Sequence, residues 1–291
     1  MGLAGIAAPN VLMAKNVKLK HSDYDKLMHQ IGFNHLPNKE EKTMNTVIHK
    51  ADTRGHANHG WLDSHHSFSF ANYYNPERMN FGVLRVLNYD RVNAGNGFGT
   101  HPHDNMEIIS IPLEGDLAHE DSMGNQTVIK HGDIQVMSAG TGVKHSEFNH
   151  NKDKPVKFLQ IWVMPNKKNV TPRYDQITLD PTNRINTLQQ ILSPNPDDAG
   201  VWIHQDTWFH IGKFDIDFTT AYNLKKAGNG IYAFVLYGAF EVAGQKLEER
   251  DALGITEIDA INDSIEVKAL TDHAEILLME IRSIGIIIYL F

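Results

Sequence analysis

The stretch Gly95-Asn-Gly-Phe-Gly-Thr-His101-Pro-His103-Asp-Asn-Met-Glu107, answered downstream by Gly140-Thr-Gly-Val-Lys-His145-Ser-Glu147-Phe-Asn149, decides how the chain is to be read. Along a β-strand, residues i and i+2 point to the same face, so His101 with His103, and His145 with Glu147, converge if the two strands are neighbours. Three imidazoles and one carboxylate suit a first-row divalent ion. With four ligands on one wall, the ion keeps positions open for a substrate or oxygen. A single His-x-His is ordinary in a chain with 17 histidines. Two same-face pairs, each beside a glycine-rich turn and separated by a strand-turn-strand pattern, are not.

Outward from this stretch the pattern is β. Strands are expected at 46–49, 81–88, 106–113, 116–121, 126–129, 133–137 and 157–164. They are punctuated by the turn signals Glu114-Gly115, Met123-Gly-Asn125, His131-Gly-Asp133 and Gly140-Thr-Gly142. Many short, evenly spaced strands argue an antiparallel barrel or jelly roll. The segment Arg54-Gly-His-Ala-Asn-His-Gly-Trp-Leu-Asp63, with His65 and His66 after it, is rich in histidine. None of His56, His59, His65 and His66 is expected to bind metal, for want of a same-face carboxylate.

At 291 residues the chain has room for two domains with cores of their own. A formal charge of −8 and a pI near 6.1 carry no electrostatic signature of nucleic-acid or anionic-membrane binding. There is no cysteine, so disulfides and thiolate ligands are excluded, and a reducing cytoplasm fits. No apolar run approaches the roughly 20 residues of a membrane span.

Residues 1–43 read as an extension, either disordered or foreign to the native protein, with at most a short amphipathic helix near Tyr24. Lys39-Glu-Glu41 is encodable by a purine-rich, ribosome-binding-like run, which places the natural start at Met44. Residues 44–172 form the metal-binding domain, 173–200 a linker with one short helix at 187–192, and 201–291 a second domain. The second domain repeats the first: Ile231-Tyr-Ala-Phe-Val-Leu-Tyr-Gly238 matches Ile108-Ile-Ser-Ile-Pro-Leu-Glu-Gly115, and Arg250-Asp251 matches Gly132-Asp133. In that alignment His101, His103 and Glu107 fall on Leu224, Lys226 and Gly230, so the repeat has lost the ligands and is expected to brace the first domain. The apolar end, Ser283-Ile-Gly-Ile-Ile-Ile-Tyr-Leu-Phe291, is either a last buried strand or read-through.

The spacing Gly95-x5-His101-x-His103-x3-Glu107, with Gly142-x2-His145-x3-Asn149, resembles the two cupin motifs, although Gly115 sits one residue late and the second motif lacks its usual proline. Arg54 to Asp63, Phe68-Ser-Phe70, His101-Pro-His103 and Gln160-Ile-Trp-Val-Met-Pro165 resemble the pirin family, in particular its bacterial quercetinase-like members. The resemblance runs from about Val47 to Arg282. It implies an all-β bicupin: two tandem cupin domains, each a jelly-roll barrel, with short helices in the connections.

It also implies iron(II) held by His101, His103, His145 and Glu147, with Mn, Ni, Co or Cu as substitutes, and with Glu107 beside the ion rather than on it. The implied activity is a quercetin 2,3-dioxygenase that cleaves flavonols with O2. Glu147 or Glu107 would take the proton of the flavonol hydroxyl. Phe98, Met106, Met137 and Phe148 are candidate apolar contacts for a flat polyphenol. Two other functions are kept open: a redox-responsive regulator binding a partner protein, without direct nucleic-acid or membrane contact, and a cupin metalloenzyme of another type, such as an isomerase.

Overall fold

A computed structural model describes residues 44–261 and 263–284; the readings made for residues 1–43 and 285–291 lie outside the described residues. The described chain is a pair of β-barrels, each built from a seven-stranded and a four-stranded sheet. In the first barrel the large sheet runs, edge to edge, through Arg173–Thr178, Asp133–Ser138, Glu107–Glu114, Val156–Val163, Leu84–Val92, Leu62–His66 and Gly55–Asn58. Its small sheet runs through Gly97–His103, Val143–Asn149, Leu117–Asp121 and Gln126–Ile129. In the second barrel the large sheet comprises Asn45–His49, Ala252–Thr256, Asn229–Tyr237, Ala274–Arg282, Trp208–Phe214, Gln189–Ser193 and Val201–Trp202. Its small sheet comprises Thr219–Tyr222, Ile265–Ala269, Phe240–Val242 and Gln245–Leu247.

Side-chain alternation builds the cores from these sheets, one shared between the barrels, one inside the second and two smaller ones inside the first. On Glu107–Glu114 the residues Ile109, Ile111 and Leu113 face outward from the first barrel, and on Asn229–Tyr237 the residues Tyr232, Phe234 and Leu236 face outward from the second. The two large sheets meet through these side chains, together with Leu159, Ile161, Phe209 and Leu277, in one shared core. The opposite faces fill the barrels: Ile231, Ala233 and Val235 pack inside the second, and Ile108 and Phe158 line the first. Central strands covered on both faces therefore read as unbroken apolar runs.

The internal repeat is visible in the turns. Gly115 and Gly238 end corresponding strands at φ 71° and φ 74°, and a Cβ would stand 2.8 Å from Asn151 Nδ2 in one case and 2.3 Å from Thr271 Oγ1 in the other. Both positions need the left-handed backbone and the space that only glycine has.

Several local expectations change. The helix at 187–192 is instead the strand Gln189–Ser193, paired with Trp208–Phe214; a six-residue helix has too few internal hydrogen bonds to offset its nucleation, and a sheet edge supplies partners. Residues 173–178, read as the start of the linker, are the edge strand beside Asp133–Ser138. Asn45–His49 adds to the second barrel, paired with Ala252–Thr256, rather than to the first. Among the described residues the helices in the connections are two 3-10 turns, Ala51–Thr53 and Pro181–Arg184; the Asp180 side chain accepts from Thr182 N at 2.9 Å to start the latter.

Candidate metal centre

Three adjacent strands of the small sheet carry the site. Gly97–His103 pairs with Val143–Asn149, setting His101 opposite His145 and His103 opposite Val143. On the far side of Val143–Asn149, Leu117–Asp121 sets His119 opposite Glu147 and Asp121 opposite His145. The register slips between His145 and Glu147 on the His101 side, and a Cβ on Gly97 would lie 2.3 Å from the Glu147 carbonyl oxygen. Such bulges re-aim side chains beside active sites, and this one needs glycine to let the backbones approach.

The imidazoles of His101, His103 and His145 face one another, with ring centroids 4.5–4.9 Å apart. Their donor atoms all lie within 4.8 Å of one another. A second cluster of the same span consists of His119, His145 and Glu147, all buried. His101 is oriented by the Gly99 carbonyl, 2.8 Å from Nδ1, which leaves Nε2 free. His103 Nε2 and both ring nitrogens of His145 are buried without a hydrogen-bond partner. Burial lowers the pKa of His103 to about 4 and that of His145 to about 2, the neighbouring imidazoles adding to the effect. Both are neutral at pH 7, the form that ligates metals. Orphaned, buried, uncharged nitrogens pointing at a common space fit a first-row divalent cation.

Glu147 is gripped by two donors: Ser110 Oγ to Oε1 at 3.0 Å and Gln160 Nε2 to Oε2 at 2.6 Å. Burial raises its pKa to about 7, the nearby Asp90 adding to the shift and the two hydrogen bonds opposing it. Glu107 lies elsewhere. It sits on the face of Glu107–Glu114 opposite to Ser110, accepts from Ser138 Oγ at 2.6 Å and is near Arg173. Burial also takes its pKa to about 7, against those two groups. The structure thus brings His101, His103, His145 and Glu147 into one barrel interior and leaves Glu107 on the far side of the sheet.

Next to the site opens a cavity of about 390 Å³. Its walls include Trp61, Phe70, Phe98 and Trp162, and its polar lining includes Ser64, His66, Asn88, Asp90 and Gln160, with His101 and Glu147 at the metal side. Asp90 accepts from Ser64 Oγ, and burial raises its pKa to about 7 against that bond. Of the apolar contacts expected from sequence, Phe98 lines this cavity. Met137 is fully buried beside Ile108 and Val143 with Met106 against it, and Phe148 is exposed on the outer surface. The histidine-rich segment has its carboxylate after all: Asp63 Oδ1 lies 2.6 Å from His56 Nε2, because the hairpin sets residues 56 and 65 side by side. His59 and His66 from the same segment line the cavity.

Sequence reading passed over His119, Asp90, Ser110 and Gln160. His119-x-Asp121 was available as a third same-face pair, but no glycine-rich turn flags it. The other three come from different strands and meet only through the barrel. In the second barrel the positions matched to the ligands hold no comparable group; among the described residues its one candidate cluster, Asp215, Asp272 and His273, is exposed on the surface.

The chain matches the family described as "Pirin" over residues 47–163 and the "Quercetinase C-terminal cupin domain" over residues 190–281. It is 43% identical over 215 residues to quercetin 2,3-dioxygenase of Escherichia coli (strain K12), covering 74% of this chain and 91% of that protein. It is 37% identical over 230 residues to a pirin-like protein of Caulobacter vibrioides, covering 79% and 96%. The crystal structure of YhhW from Escherichia coli superposes with a TM-score of 0.77 at 40% identity, covering 82% of this chain and 99% of that one. That of the bacterial pirin YhhW in complex with nickel(II) superposes with the same score at 39% identity, covering 82% and 100%. Two cupin barrels in tandem, a histidine cluster in the first and these matches across both together make the chain a member of the pirin family.

Proposed function

We propose that the protein is a metal-dependent dioxygenase that cleaves flavonols such as quercetin with O2, at a mononuclear site formed by His101, His103, His145 and Glu147. Iron(II) is the ion proposed, and the nickel(II) complex of YhhW supports a tolerance for other divalent metals. The observation that carries the reading is the cavity of about 390 Å³, which joins aromatic walls to the histidine cluster. A flat polyphenol fits between Trp61, Phe70, Phe98 and Trp162, with one oxygen toward His101 and Glu147.

When bound, the metal acts as a Lewis acid that lowers the pKa of a substrate hydroxyl and offers open positions to oxygen. The protein's part is positioning and proton transfer. Glu147 lies at the edge of the cavity, where its carboxylate would accept the hydroxyl proton by loosening from the metal. Ser110 and Gln160 hold its two oxygens in place during the transfer. The apolar walls exclude water from the anion so formed.

Oxygen uptake by the anaerobically iron(II)-loaded protein on addition of quercetin tests the reading, with His101→Ala run alongside. Uptake in the wild type that disappears in the variant is the expected result. A protein that holds iron and consumes no oxygen overturns it, and directs attention to a partner protein that distinguishes the iron's redox states.

A further inference from the structure

We propose that His119 is a further metal-facing donor, and that the barrel offers a divalent cation two overlapping stations that share His145. The outer station is His101, His103 and His145; the inner one is His119, His145 and Glu147. This rests on the metal site of the reading above and adds to it an inner set of two histidines and one carboxylate, the donor class of non-haem iron oxygenases.

Three observations carry it. The strand register sets His119 directly across from Glu147, on the inward face of Leu117–Asp121, where Leu117, His119 and Asp121 are all buried. The imidazole is held as metal-binding imidazoles usually are: Nε2 lies 3.1 Å from Asp121 Oδ2, while Nδ1 is buried with no partner. Asp121 is itself fixed by Asn125 Nδ2 at 2.8 Å and by the backbone N–H of Met123 at 2.9 Å, so the pair cannot easily swing away. Finally, Glu147 falls in the cluster with His119 rather than in the one with His101 and His103. Both ring nitrogens of His145 are buried and unpartnered, as befits a residue belonging to both sets.

The test is nickel(II) binding to the purified metal-free protein, followed by X-ray absorption to count imidazoles, without quercetin or oxygen. A protein that fails to cleave flavonols can still pass it. His101→Ala is expected to retain one equivalent of nickel through the inner station, and His145→Ala to lose it. His119→Ala is expected to bind nickel at least about tenfold more weakly, with a changed imidazole count, and His101→Ala/His119→Ala to bind none. His119→Gln, with its thermal unfolding followed in parallel, serves if the alanine variant does not fold. Unaltered affinity and imidazole count in a folded His119 variant, or complete loss of nickel in His101→Ala, overturns the proposal.

Discussion

Glu147 shows how far a single residue depends on its neighbours. Its two oxygens accept from Ser110 and Gln160, side chains from two other strands, and the bond from Gln160 is 2.6 Å long. Without Gln160 one carboxylate oxygen loses its donor and its aim. Gln160→Ala is expected to weaken metal binding by about 10- to 100-fold, and metal titration of the folded variant checks this. Lys226 marks the opposite case. It aligns with His103 in the repeat, but it pairs with Asp206 at 2.6 Å while its backbone N–H serves Glu280. Lys226→Ala is expected to leave metal stoichiometry unchanged, as elemental analysis would record.

At the scale of the element, the small sheet is held in its working geometry by the approach of Gly97–His103 to Val143–Asn149. A methyl group at Gly97 meets the Glu147 carbonyl and the Phe148 backbone. Gly97→Ala therefore has to separate the two strands at the bulge and draw His101 away from His145. The expected outcome is a folded protein with its second barrel intact and its metal affinity reduced about tenfold or more, comparable to loss of a supporting residue. Metal titration together with thermal unfolding separates this from general destabilisation. The same strands explain why Glu107, which the family resemblance sets beside the ion, lies on the far side of the sheet from the histidine cluster. Between His103 and Glu107 the chain leaves one sheet for the other through Asn105, at φ 45°. Alternation counted across such a corner no longer tells which face a residue occupies.

At the scale of the whole molecule, the two halves are joined through side chains that sequence proximity does not reveal. Arg250 of the second barrel lies over the rings of Tyr89, from the first, and Tyr237, from its own. Lys50, on the connection from Asn45–His49 to the first barrel, pairs with Asp251 at 2.5 Å, and within the second barrel His49 Nδ1 lies 2.9 Å from Tyr232 Oη. Burial lowers the pKa of His49 to about 4, with Arg78 adding, and that of His210 in the second barrel to about 4, with Lys225 adding. The unfolded chain binds these protons near pH 6.5 and the folded chain only near pH 4, so stability is full above 6.5 and falls as pH drops between those values. Each histidine is expected to contribute a loss of about 1.5 kcal/mol between pH 6.5 and 5. Urea unfolding at the two pH values measures the loss, and His49→Phe should reduce it.

Much of this was legible from residue order alone. The i and i+2 pairs at His101, His103, His145 and Glu147, the turn glycines and the recurrence of Ile108 to Gly115 as Ile231 to Gly238 are local patterns. They specify barrels, a repeat and a set of candidate ligands, because alternation and left-handed turns are properties of neighbouring residues. Only the tertiary structure decided which strand lies beside which. It put Asn45–His49 on the second barrel, turned Glu107 to the shared core side, and carried Trp61, His66 and Phe70 into the wall of the cavity beside His101 and Glu147. It also set His119 opposite Glu147. Strand pairing between residues far apart in sequence follows from which apolar faces can be buried together, and that sum is taken over the whole molecule rather than along the chain.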